Sequence, residues 1–279
     1  MVSKIRFLVA IDMLFLLLLA LSGSASGITS EILYYLAFLA PVGLTLNYIY
    51  SPDKNTHVSA DELRSAMLKD LKGDFSLSKE NALLTLPLII PAISLIFALS
   101  FLTSLFMGFL GYENGATFDK PFIIALIIHA LIPAILEELL FRFAPIKLLS
   151  DNKKSAFLVS SVLFAFAHAN LFQIPYALLA GMIFSGIYLM TGSIFPTVII
   201  HFLNNSLSLI SIYGYFKAPV YISVSVLLAL SLVFIYLRRR TYIKKLKNVF
   251  PNGEKMVFSR YPFFFIATSL ILAISMLFA

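Results

Sequence analysis

Glu137, Glu138 and Arg142 share one short run, Glu137-Glu138-Leu139-Leu140-Phe141-Arg142, at the end of a hydrophobic stretch. No other apolar stretch of the chain holds more than one acidic residue. Ionisable side chains are costly inside a membrane and are a functional hypothesis by default. Three of the four histidines, His129, His168 and His201, also fall in apolar stretches, and Asn205 follows His201 by four residues. Together these residues make the chain a candidate intramembrane hydrolase.

Helical phase sorts these groups. Glu138 and Arg142 stand at i, i+4 in the favoured acid-first order, so they pair along the helix. Glu137 points about 100° away from Glu138 and is left as the free carboxylate. Phe164 and His168 share a face, as do His201 and Asn205. Each group taken alone also has a bland reading. Charges near an interface snorkel, and polar side chains hydrogen-bond across membrane helices.

The elements that must position them are membrane helices. The chain is 60% hydrophobic with a mean hydropathy of +0.93, against about 45–50% apolar for soluble domains. The apolar residues form long runs: Ile5–Leu21, Ile32–Tyr50, Ala82–Phe109, Pro121–Phe143, Ala156–His168, Ile174–Met190, Ile194–Tyr213, Tyr221–Leu237 and Pro262–Phe278. The expected fold is all-α, a polytopic integral membrane bundle of eight or nine helices with one short interfacial helix. Pro87 and Pro91 predict a kink or tilt in the long third span.

With the N-terminus inside, every Lys and Arg except Lys120 and Lys217 faces the cytoplasm, which satisfies the positive-inside rule. A signal peptide is the other reading of the first span, given Lys4, Arg6 and the small residues from Ser22 to Ala25. Asp12 in its centre favours a retained anchor.

Between the spans, Ser59-Ala60-Asp61-Glu62 is a capping box. Leu63, Met67 and Leu71 then form an apolar stripe, so the 51–80 loop should hold an amphipathic helix on the inner leaflet. Arg238-Arg239-Arg240, Lys244, Lys245 and Lys247 belong to a basic linker, 238–260, that faces anionic headgroups. That run explains the net charge of +7 without nucleic acid. Residues 1–279 read as one membrane domain, with 121–213 as its core.

Geometry joins the polar groups. The fourth and fifth spans turn at Ser150–Lys154, and Glu137 and His168 are symmetric about that loop. Each should lie about 23 Å along its helix from the turn. His201 is only about 10 Å into its span, so reaching the same depth needs a tilted or shortened helix with a buried turn. Water must reach Glu137 through a cavity open to the cytoplasm or between helices.

Several proteolytic chemistries are absent. The chain has no cysteine and no His-Glu-x-x-His zinc motif. Gly181-Met182-Ile183-Phe184-Ser185-Gly186 has the wrong spacing for an intramembrane serine nucleophile, and no Gly-x-Gly-Asp occurs. The remaining motifs are Glu137-Glu138-x-x-x-Arg142, Phe164-x-x-x-His168 and His201-x-x-x-Asn205. In that order on successive helices they resemble the type II CAAX prenyl endopeptidase and bacteriocin-processing (CPBP, or Abi) family of intramembrane glutamate proteases.

The resemblance implies that Glu137 is the general base, that His168 holds the water, and that His201 and Asn205 donate to the oxyanion. Glu138 and Arg142 take the supporting positions. It implies no cofactor, a membrane-associated, lipidated or C-terminal peptide as substrate, and a prokaryotic plasma membrane as setting. Two other classes stay open. One is a zinc or iron site built from Glu137, His168 and His201, for which His129, about 80° around the helix from Glu137, is a poor fourth ligand. The other is a transporter or immunity-type membrane protein.

Overall fold

In a membrane, backbone amides must be paired within their own segment, and every regular element among the described residues is helical. The computed structural model describes residues 1–51, 59–111, 120–214, 218–250, 255–257 and 261–275. Lys54, Lys217, Arg260 and the end of the last expected span lie outside them.

The helices are α1 (Val2–Ser24), α2 (Gly27–Tyr50), α3 (Ala60–Asp74), α4 (Lys79–Phe109) and α5 (Phe122–Leu148). They continue as α6 (Lys153–Ala167), α7 (Ile174–Thr191), α8 (Phe195–Ile212), α9 (Ala218–Val249) and α10 (Tyr261–Ser275). Among the described residues, α1, α2, α4, α5, α7 and α8 are long and apolar enough to cross a membrane. The chain is an all-α polytopic helix bundle. At 15 residues, α6 is shorter than a full crossing, and α10 is described over 15 residues.

The α6–α7 hairpin lies at the centre. α1 and α10 pack on α6, α4 and α9 pack on α7, and α5 packs along α8. Close approach within the hairpin depends on Gly181, where a Cβ would sit 2.9 Å from the Ser161 carbonyl oxygen. Ser160 and Ser185 then meet across the same seam at 2.9 Å. The Gly181–Gly186 segment is therefore a packing surface of the small-residue kind common between membrane helices.

Two boundaries differ from expectation. α5 runs on past Phe143 to Leu148, so the turn into α6 is 149–152, about two residues earlier than the symmetry argument assumed. Asn152 caps α6 by accepting from the Ser155 N–H at 2.8 Å. α9 continues through its basic residues to Val249 rather than ending as a linker at Leu237. Arg, Lys and Leu favour helix, and no Gly or Pro interrupts them there.

α3 forms as its capping box dictates, with the Ser59 N–H donating to Glu62 at 2.8 Å and the Glu62 N–H to Ser59 Oγ at 3.3 Å. The Ser59 N–H and then the Ser59 hydroxyl, both donating to the carboxylate, hold the Glu62 carboxyl below its ordinary pKa. Leu63, Met67 and Leu71 are half-buried while their neighbours are exposed. The helix ends on Asp74, which is buried and pins the α7–α8 turn. Its carbonyl accepts from the Ile194 N–H at 2.8 Å, and its carboxylate takes Tyr188 Oη at 3.0 Å and Lys147 Nζ at 3.0 Å.

Candidate active site

α5 carries two π turns, Leu126–Leu131 and Leu139–Phe143, on either side of the segment holding Glu137 and Glu138. Such turns are rare and concentrate at functional sites. The second places Arg142 Nε 3.4 Å from Glu138 Oε2, and both side chains are fully buried. The guanidinium lies over Phe164 at 4.0 Å from the ring centre and near Phe184 at 5.2 Å. Ring quadrupoles thus share in holding a cation whose nitrogens have no hydrogen-bond partner among the described residues.

Glu138 also reaches across to α8. His201 Nδ1 stands 3.0 Å from Glu138 Oε1, and His201 Nε2 stands 3.7 Å from Glu137 Oε2. The acid assigned to a pair with Arg142 therefore bridges two partners, one on its own helix and one on α8. A carboxylate accepts, so His201 donates through Nδ1 and turns Nε2 toward Glu137. Its depth follows from the turn before α8: Ser193 and Ile194 are buried, and Asp74 ties them down. The buried turn foreseen as lifting His201 is present.

His168 ends α6. Its Nδ1 lies 2.9 Å from the Phe164 carbonyl, which can only accept, so Nδ1 carries the proton and Nε2 is left for the site. The chain reverses immediately after it. Ala169 takes φ +45°, a strained value for a residue with a Cβ. Asn170 braces the reversal, its side chain accepting from the Phe172 N–H at 2.9 Å and its carbonyl from the Ile174 N–H at 3.0 Å.

These pieces enclose a cavity of about 240 Å³ whose wall includes Glu137, His168, His201 and Asn205. Glu138 and Arg142 lie behind the wall and do not line it. A second cavity of about 160 Å³ adjoins Glu137 and His168 on the side of α1 and α2, bounded by Phe15, Leu19, Phe38 and Phe141.

His129 lines the main cavity as well. The phase argument that set it aside assumed an unbroken α-helix, whereas His129 lies within the first π turn, which rotates it relative to Glu137. Toward the basic ends of the helices the cavity is lined by buried side chains. Its floor at His201 and Phe184 is 3% and 1% exposed, and its far wall reaches His129 and Ile212 at the opposite end.

Tyr34, Gln173, Tyr176, Asn204 and Ser208 also face the cavity and were not singled out from sequence. Ser208 was within reach, because His201, Asn205, Ser208 and Ile212 follow helical spacing on one face. Gln173 sits in the mid-bundle turn, and Tyr34 comes from a distant helix. Neither has a local signature. Among the described residues, no three His, Asp or Glu side chains are grouped so as to hold a metal ion. The zinc or iron set of Glu137, His168 and His201 is not assembled as ligands.

Comparison with known proteins gives one match. Residues 119–207 fit the family model described as Type II CAAX prenyl endopeptidase Rce1-like. No curated protein and no solved structure matches the chain. The matched segment covers α5, α6, α7 and most of α8, which supply Glu137, Glu138, Arg142, His168, His201 and Asn205. Residues 119–207 of this integral membrane protein are thus an Rce1-like domain of the type II CAAX prenyl endopeptidase family, a family of peptidases.

Proposed function

We propose that the chain is an intramembrane endopeptidase of glutamate type. Glu137 takes a proton from a water molecule in the cavity, and the oxygen attacks the carbonyl carbon of a peptide bond. His168 Nε2 accepts a hydrogen bond from that water and orients it. Asn205 donates to the oxyanion from its amide. His201 donates from Nε2, with its Nδ1 held by Glu138 and its Nε2 lying beside Glu137. The proton on Glu137 passes to the leaving amine as the C–N bond breaks. No covalent intermediate forms.

The observation that carries this reading is the approach of Glu137 Oε2 to His201 Nε2, 3.7 Å, on the wall of a cavity shared with His168 and Asn205. The substrate class is a membrane-associated peptide, lipidated or C-terminal. The membrane is a prokaryotic plasma membrane with the basic helix ends and the N-terminus inside. The test uses reconstituted protein and a membrane-anchored reporter peptide. Glu137→Gln and His168→Ala each remove cleavage while the melting temperature stays at the wild-type value. Retention of cleavage by both variants overturns the reading.

A further inference from the structure

The cavity has one closed end and one open end, and the membrane gives those ends different meanings. At the closed end, the residues beneath His201 are Ser193, Ile194 and Thr197, all 1% exposed or less. Arg142 and Phe141 seal the same level from α5, also 1% exposed or less. This is the end at which α3, the α5–α6 turn and the basic part of α9 lie, since Asp74 holds Ile194 and Lys245 pairs with Glu80 at the start of α4.

Toward the other end the wall becomes polar and exposed. Ser208 is exposed, and Ile212 is 38% exposed. Ile212 lies about 16 Å further along α8 than His201. A further cavity of about 230 Å³ continues in the same direction. It shares Tyr34 and His129 with the main one and is lined by Ser22, Ser30, Glu31 and Lys120. Tyr213, just after α8, hydrogen-bonds the Lys120 carbonyl, which fixes this as the Lys120 end of the bundle.

The Lys120–Glu31 pair at 2.9 Å spans the outer cavity with both side chains largely exposed. Exposed pairs contribute little to stability, so it is not a barrier to entry. Polar cavity lining thus extends from Glu137 to the Lys120 end of the bundle, whereas the described residues beneath His201 at the basic end are buried.

We propose that substrate and water enter from the Lys120 face, which is the non-cytoplasmic one, so that the substrate is a membrane-anchored peptide presenting its scissile bond from outside the cytoplasm. The proposal rests on Glu137 as the base and on the basic ends facing the cytoplasm. It separates this chain from any protease acting on tails held at the cytoplasmic surface. The scissile segment arrives along that polar lining, and such a tail would have to cross the buried floor.

The absence of native cysteine makes access measurable with single substitutions in the full-length protein. Ser208→Cys and Ile212→Cys lie on the open side, and Ser150→Cys lies on the turn between α5 and α6. A membrane-impermeant maleimide is added to intact cells and to permeabilised ones. The first two variants react in intact cells, and Ser150→Cys reacts only after permeabilisation. Reaction of Ser208→Cys and Ile212→Cys only after permeabilisation, or not at all, overturns the proposal.

A second arm places one scissile peptide on either side of a single membrane anchor. Glu137-dependent cleavage occurs for the non-cytoplasmic placement and is lost for the cytoplasmic one. The opposite preference, or equal cleavage of both, also overturns it. If neither reporter is cut, or cutting survives Glu137→Gln, the protease reading has failed instead, and the labelling still reports the side of access.

Discussion

Glu137 and Glu138 are adjacent in sequence and unequal in circumstance. Glu137 borders the cavity, whereas Glu138 is fully buried between Arg142 and His201. Their variants should fail differently. Glu138→Ala strands a buried guanidinium that has no other carboxylate at contact distance among the described residues, a loss of about 3–5 kcal/mol. It should appear as a clear drop in melting temperature in detergent together with loss of cleavage. Replacing both members, Glu138→Leu with Arg142→Leu, removes the unpaired charge and should restore much of the stability. Cleavage stays lost because nothing then orients the His201 ring. If the double variant is as unstable as Glu138→Ala, the ion pair is not what Glu138 contributes. Asn205→Ala, by contrast, should leave the melting temperature unchanged and lower turnover about 10²–10³-fold, the usual effect of losing one oxyanion donor.

At the scale of elements, two packing details set the positions of those residues. The backbone contact at Gly181 fixes how closely α7, with Phe184, approaches α6, which ends on His168. Gly181→Ala forces the helices apart and should cost about 1–3 kcal/mol, measured by chemical or thermal unfolding. An unchanged midpoint would show that the seam has slack. The Asp74 carboxylate anchors the end of α3 to Tyr188 and Lys147, and the Asp74 carbonyl pins the turn that sets the depth of His201. Asp74→Ala keeps that carbonyl but loosens its anchor, so it should lower activity without touching the cavity. It leaves buried Tyr188 without its acceptor, about 1–3 kcal/mol. These details mark the limit of sequence reading. The pairing of Glu138 with Arg142, the shared face of His201 and Asn205, and the capping box all come from spacing within one helix and were legible. The contacts of Glu138 with His201 and of Asp74 with Ile194 join residues 63 and 120 positions apart. The π turns that bring His129 onto the cavity wall have no residue signature at all.

For the whole molecule, the same asymmetry of charge that orients the bundle should also anchor it. α9 carries its helix beyond the apolar core into a run where Arg238, Arg240, Lys244 and Lys247 are exposed, while Lys245 is held by Glu80 at 2.8 Å. A basic helix end at the membrane surface would present its charges to headgroups together, each worth about 1 kcal/mol near an anionic surface. Protein reconstituted in anionic vesicles should therefore unfold at a higher temperature than in zwitterionic ones. Added salt should shrink the difference, because screening acts on exposed charges. Arg238→Gln, Arg240→Gln and Lys244→Gln combined should remove most of it while leaving the zwitterionic value unchanged, since none of the three has an acidic partner among the described residues. Equal melting temperatures in the two lipids would mean that the run sets orientation during insertion and contributes nothing to the finished structure.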